Sequence, residues 1–115
     1  SQRLRDLLAE LVANAYDDRR HDDFGRIAEV DLDHEITPPT EVAAMAEALV
    51  DSEQLTDNPD ARLSLWQLAA RGYRRVRDEE NANRCMVASA ECHVQKACCL
   101  VVASALRPAS NSGRN

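Results

Sequence analysis

Three groups of side chains in this 115-residue chain have types and spacings that could do chemistry. The first joins imidazoles to carboxylates, in His21-Asp22-Asp23 and again in Asp31-x-Asp33-His34-Glu35. Such groups ligate divalent ions, and His21, Asp22, Asp33 and His34 are the set a small metal-dependent hydrolase would use. If a helix joins the two clusters, the residues between them hold their centres about 16 Å apart, at ~1.5 Å per residue. One ion cannot span that distance. Helix capping and solvated charge are therefore the expected roles, and no metal site is assigned.

The second group is Cys85, Cys92, Cys98 and Cys99, with no cysteine elsewhere. Cysteines seven apart on one helix have Cα atoms about 10.5 Å apart, beyond the reach of a disulfide. Cys92 with its neighbour His93 lacks the paired spacing of a zinc site, and adjacent helical side chains diverge by about 100°, too far for a nucleophile and its base. Small buried hydrophobes in a reducing, cytoplasmic setting are expected.

The third group, Arg71, Arg74, Arg75 and Arg77, is the one basic cluster. At the end of a helix these cations complement the dipole. They could equally dock an acidic peptide, a carboxylate or a phosphate, because Arg74 and Arg75 follow Arg71 at i+3 and i+4. They are taken as the partner-binding residues. With Arg84 they could also form the contact surface of a helical regulator on nucleic acid. The charge balance disfavours that: the net charge is −6, whereas neutralising phosphates needs a concentrated basic surface. The charge is also divided, with 14 acidic and 3 basic residues between positions 17 and 60 and a net +5 from 61 to 115.

Three glycines, at 25, 72 and 113, cannot write a phosphate loop or a dinucleotide fingerprint. Neither an enzyme nor a cofactor is expected. The same scarcity, with 44% hydrophobic residues of which 18 are Ala, argues for closely approaching helices and against hairpins or a Rossmann-type sheet.

Periodicity places five helices. Leu4, Leu7, Leu8, Leu11, Val12 and Ala15 mark one over about Gln2 to Arg19. Phe24, Ile27, Ala28 and Leu32 mark a second, with Asp22 or Asp23 as N-cap, ending before Thr37-Pro38-Pro39. A third runs from about Thr40 to Gln54. A fourth follows the Asp57-Asn58-Pro59-Asp60 turn and carries Leu65, Trp66, Ala69, Ala70, Tyr73 and Val76. Asp78 caps the fifth, from about Glu79 to Leu106. The expected fold class is all-α, about five antiparallel helices in a repeat-like array or bundle, with residues 1–107 as one helical domain and 108–115 as a flexible C-terminal tail.

Helices four and five resemble a tetratricopeptide repeat in their spacing. Trp66 is followed by small Ala70 and then Tyr73, while Ala82, Met86 and Ser89 supply small, large and small in turn. Val94 stands where proline is usual. Helices one and two resemble the pattern more weakly, through Ala13, Tyr16 and Gly25, with Glu29 where a large apolar residue is usual. Tyr16 and Tyr73 are out of phase with a 34-residue period, and helix three interrupts the register. The resemblance implies a protein- or peptide-binding module. Asn14 matches an asparagine of repeat domains that clamp a terminal carboxylate, but Glu10 stands where they carry a cation.

The longest apolar run, Ala97 to Leu106, is too short to cross a bilayer, which takes about 20 residues, and the opening SQRLRDLLAELV lacks the apolar core of a signal peptide. No membrane partner is expected. One face of a five-helix array cannot absorb so continuous a run. Cys99, Leu100, Val101, Val102 and Leu106 are therefore the expected interface residues of a homo-oligomer.

Overall fold

The computed structural model describes residues 1–106, and the described residues are all-helical. Arg107 and the expected tail 108–115 lie outside the described residues. The elements are α1 (Gln2–Asp17), α2 (His21–Asp33), α3 (Pro39–Val50), a 3-10 turn (Glu53–Leu55), α4 (Pro59–Arg75) and α5 (Glu79–Leu106).

Most helix starts follow from side-chain acceptors. The Ser1 hydroxyl accepts from the Leu4 amide, Asn58 Oδ1 from the Ala61 amide at 3.1 Å, and Asp78 Oδ1 from the Asn81 amide at 3.2 Å. Pro39 and Pro59 open α3 and α4 at positions where the missing amide costs nothing. Two starts and stops differ from expectation. Asp22 and Asp23 do not cap α2; they lie in its first turn, Arg20 holds the cap position, and Asp23 accepts from Arg20 and Arg26 at 2.9 Å each. Helix three ends at Val50 rather than near Gln54, because Ser52 accepts from the Gln54 amide and starts the 3-10 turn that buries Leu55.

The helices stack in a line. α1 packs on α2, α2 on α3 and α4, α3 on α4, and α4 on α5 along the most extensive contact of all. α3 is thus a full member of the stack. Neighbours run antiparallel: Arg5 of α1 donates to the carbonyls of His34 and Glu35 beyond the far end of α2, and Arg62 near the start of α4 donates to Gln95 late in α5. α2 and α4 therefore run in the same direction, and Arg71 bridges their C-terminal ends.

The core mixes a few large side chains with many small ones. Phe24, Leu32, Leu49 and Leu55 are fully buried, each contributing about 1.5–3 kcal/mol. Ala15, Ala28, Ala43, Ala46, Ala69, Ala70 and Ala82 are buried around them and let the helix axes approach closely. Asp31 is also fully buried, and is satisfied: its carboxylate accepts from the Thr37 amide at 2.8 Å and from the Thr37 hydroxyl at 2.6 Å, which ties down the α2–α3 connection.

The apolar stripe expected on helix one splits in two. Val12 and Ala15 are buried against α2, but Leu4, Leu7 and Leu11 are 66%, 50% and 42% exposed, since no further helix covers that flank. Val76, expected on the stripe of helix four, is exposed because α4 ends at Arg75.

Candidate functional site

The four arginines expected to bind a partner do not form one free patch. Arg71 lies on α4 one helical step from α2, and donates to Glu29 Oε1 at 3.3 Å and to Asp33 Oδ1 at 3.2 Å. Arg75 donates to the same Asp33 oxygen at 3.4 Å and stands 3.5 Å from Glu35 Oε1. The carboxylates that could have been metal ligands at the end of α2 thus hold two of the arginines. Arg74 and Arg77 are exposed and make no ion pair among the described residues. Arg84 is likewise committed. Its guanidinium grips Glu47 of α3 with two bonds, of 2.6 and 2.9 Å, and also donates to Asn81.

That pairing centres a polar network which local spacing does not reveal. The Tyr73 hydroxyl of α4 donates to Glu47 Oε2 at 2.5 Å, and Asn81 Nδ2 donates to Asp78 at 2.7 Å. Three helices meet at one carboxylate. The Arg84 guanidinium holds the Glu47 carboxyl below the usual carboxylate range against partial burial, with help from the Tyr73 bond. Burial, and then the hydrogen bond to Glu47 with its charge, push the Tyr73 phenol up to about 12. Burial also raises the Cys85 thiol, again with Glu47 behind it. The network is fully paired, with no buried side-chain polar atom left without a partner among the described residues. Its chemistry is cohesion between helices.

His21 and His34 stand at opposite ends of α2, and no group of three or more His, Cys, Asp or Glu side chains is placed to hold a metal ion among the described residues. An open cleft of about 360 Å³ lies between the first halves of α2 and α4, lined by His21, Arg26, Glu29, Ser64, Leu65 and Leu68. Its Glu29 accepts from Arg71, so the cleft borders the Arg71 bridge.

The cysteines divide. Cys85 and Cys92 are buried as small hydrophobes in the seam Ala82, Cys85, Ser89, Cys92 that faces α4, whereas Cys98 and Cys99 are exposed, against the expectation that all four pack inside. The reason is the length of α5. α4 covers it as far as the pairs Arg62–Gln95 and Asp60–Lys96, the latter 2.8 Å long, and no neighbour extends further. Every residue from Lys96 to Leu106 is exposed.

The expected interface residues all fall on this bare end. Leu100, Val101, Val102 and Leu106 are 61%, 67%, 58% and 76% exposed, and Cys99 stands among them. α5 as a whole is long and apolar enough to cross a membrane by length and composition, although its apolar run alone falls short of that length. Any 18-residue window of this helix must include Cys92, Gln95 and Lys96, which are buried against or paired with α4. The free part, ten residues past Lys96, is about 15 Å long, half the thickness of a hydrocarbon core. No protein-family model, curated protein or solved structure matches the chain.

Proposed function

We propose that this chain is a non-enzymatic protein-interaction module of tetratricopeptide-like type, which self-associates through the apolar end of its last helix in a reducing, cytoplasmic setting. One observation carries the reading: ten consecutive exposed residues, Ala97 to Leu106, all apolar but Ser104, at the end of the last helix. A helix apolar all round is stable in water only when covered. The ten residues past Lys96 form a cylinder about 15 Å long and 10–12 Å across, with roughly 500 Å² of side wall, below the ~800 Å² each partner gives a standard interface and in the range of small, transient ones. Four free thiols agree with a reducing compartment.

The repeat-like character rests on α4 and α5, whose buried Ala70, Ala82 and Ser89 occupy the small positions of the pattern. Met86, 37% exposed, fills its large position without a neighbour to cover it.

The deciding experiment is the solution mass by light scattering, with and without reductant, for the parent chain and for Leu100→Asp and Val101→Asp. An assembly insensitive to reductant that each substitution dissociates, with helix content unchanged, is the expected result. A parent chain that stays monomeric, or substitutions that lower helix content and mass together, would overturn the reading.

A further inference from the structure

We infer that the second copy meets α5 with its own α5, antiparallel, along one seam on the side turned away from α4. This rests on the self-association proposed above and names the orientation and register of the two helices.

The seam consists of Val87, Ala90, Val94, Ala97, Val101 and Ser104, all exposed, the valines by 60%, 62% and 67%. The six recur at alternating steps of three and four residues, the spacing of a helix-packing seam. The buried set Ala82, Cys85, Ser89 and Cys92 faces α4 from the other side of the helix. The seam therefore starts on the folded body and runs onto the free end without a break. Its valines all stand at one of the two core positions of the heptad, and its small residues all stand at the other.

That division selects the orientation. In a parallel pair each core position meets its own kind, so layers of valine on valine would alternate with hollow layers of alanine on alanine. In an antiparallel pair the two core positions face each other. Val94 then lies level with Ala97 of the second copy, Val101 with its Ala90 and Val87 with its Ser104, and the two-fold axis repeats all three pairs. Every layer holds one large and one small side chain, as close packing requires. A slide of one heptad either way loses two of the six layers. In this register the free end of one copy lies along residues 85–94 of the other. Glu91, the one carboxylate beside the seam, falls next to Cys98 of the second copy, so no like charges meet. The overlap, residues 85–106, is about 33 Å long, and half the side wall of each helix gives roughly 1,100 Å² in total, against the ~1,000 Å² a biological contact needs. Pairing the free ends alone would bury under half as much. The contact is isologous, so the assembly closes as a dimer.

The test is disulfide trapping in a background of Cys98→Ser with Cys99→Ser, both at exposed positions. One variant adds Ala90→Cys, the other Val101→Cys. In the antiparallel register positions 90 and 101 face each other, whereas each stands about 16 Å from its own counterpart in the second copy, too far to bridge. Light scattering is expected to show a mass that reaches a dimer and rises no further with concentration, with the helix content of the parent chain by circular dichroism. Under a mild oxidant an equimolar mixture of the two variants, left to exchange, should cross-link at least tenfold faster than either variant alone. Should either substitution lower helix content, Val87→Cys and Ser104→Cys replace the pair. Variants that each cross-link with themselves faster than the mixture joins the two kinds would show a parallel pair, and overturn the inference while self-association stands. A dimer that cross-links in none of the samples would place the contact off the seam, with the same consequence. A chain monomeric at every concentration would overturn both readings.

Discussion

Gly72 of α4 lies directly against the backbone of Pro39 at the start of α3: a Cβ on Gly72 would stand 2.7 Å from the Pro39 carbonyl oxygen and 3.0 Å from the Ala43 Cβ. The glycine is helical, so its role is close approach of two helices and not backbone freedom. In an exposed helix, Gly→Ala gains about 1 kcal/mol of propensity. Here the new methyl meets backbone, which cannot rotate away, and overpacking typically costs about 1–3 kcal/mol. Gly72→Ala is therefore expected to destabilise by roughly 1–2 kcal/mol, read by urea denaturation. A neutral or stabilised variant would show that α3 and α4 are not packed this tightly.

Three helix ends use the left-handed conformation without glycine. Arg19, Glu35 and Arg77 have φ of 57°, 52° and 60°. Each is followed by an amide bonding five residues back: Arg20 to the Ala15 carbonyl, Ile36 to Asp31 and Asp78 to Tyr73. That closing bond is normally made with glycine in the strained position. Left-handed geometry costs a side chain about 1–2 kcal/mol, partly offset because glycine has more freedom to lose on folding. Arg77→Gly removes the strain with no ion pair to lose, and a gain of about 0.5–1 kcal/mol is expected in denaturant midpoint. Arg19→Gly should gain less, because Arg19 lies over the Tyr16 ring at 4.9 Å and donates to the Tyr16 carbonyl. If Arg77→Gly is neutral or destabilising, the α4–α5 corner is not built this way.

Those corners explain what was legible in the chain. Leu65, Ala69, Asn58 and Asp78 announced α4 and α5, because periodicity and capping act within a few residues. The stops after Asp17, Asp33 and Arg75 carry arginine or glutamate where glycine would have marked them. Nor does periodicity say how many neighbours exist to cover an apolar face, so the exposure of Leu4, Leu7 and Leu11 was invisible. Glu47 and Arg84 lie 37 residues apart on different helices, beyond the reach of any local pattern. Only the stacking of α3, α4 and α5 brings them together.

The Glu47 network sets a pH dependence with opposite signs at its two ends. Glu47 titrates lower in the folded chain than unfolded, so its stabilisation is present above the ordinary carboxylate range, near 4.5, and disappears as pH falls through the depressed value. Glu47→Gln should cost about 1–3 kcal/mol at pH 7. The difference from the parent chain should shrink below pH 4. Tyr73 is the reverse: its stabilisation is complete below pH 10 and declines as pH rises from 10 toward about 12, where the folded phenol ionises. Tyr73→Phe should remove that alkaline loss. Urea titrations from pH 3 to pH 11 check both, and a constant Glu47→Gln difference across the acid range would rule the linkage out.

Thiol reactivity tests whether the end of α5 is bare in the single chain and covered in the assembly. Cys98 and Cys99 are exposed, whereas Cys85 and Cys92 are buried against α4, and burial together with the nearby Glu47 charge raises the Cys85 thiol and depletes its thiolate. In dilute solution Cys98 and Cys99 should react with an aromatic disulfide reagent about tenfold or more faster than Cys85 and Cys92, which wait for unfolding. In denaturant all the thiols should react together. As protein concentration rises into the range where mass increases, the fast phase should slow, because self-association around this end of α5 shields exposed thiols while the slow phase is already limited by the fold. A fast phase that keeps its rate while mass grows would place the contact away from Cys98 and Cys99. Four slow thiols in the dilute chain would mean that this end of α5 is covered within a single molecule.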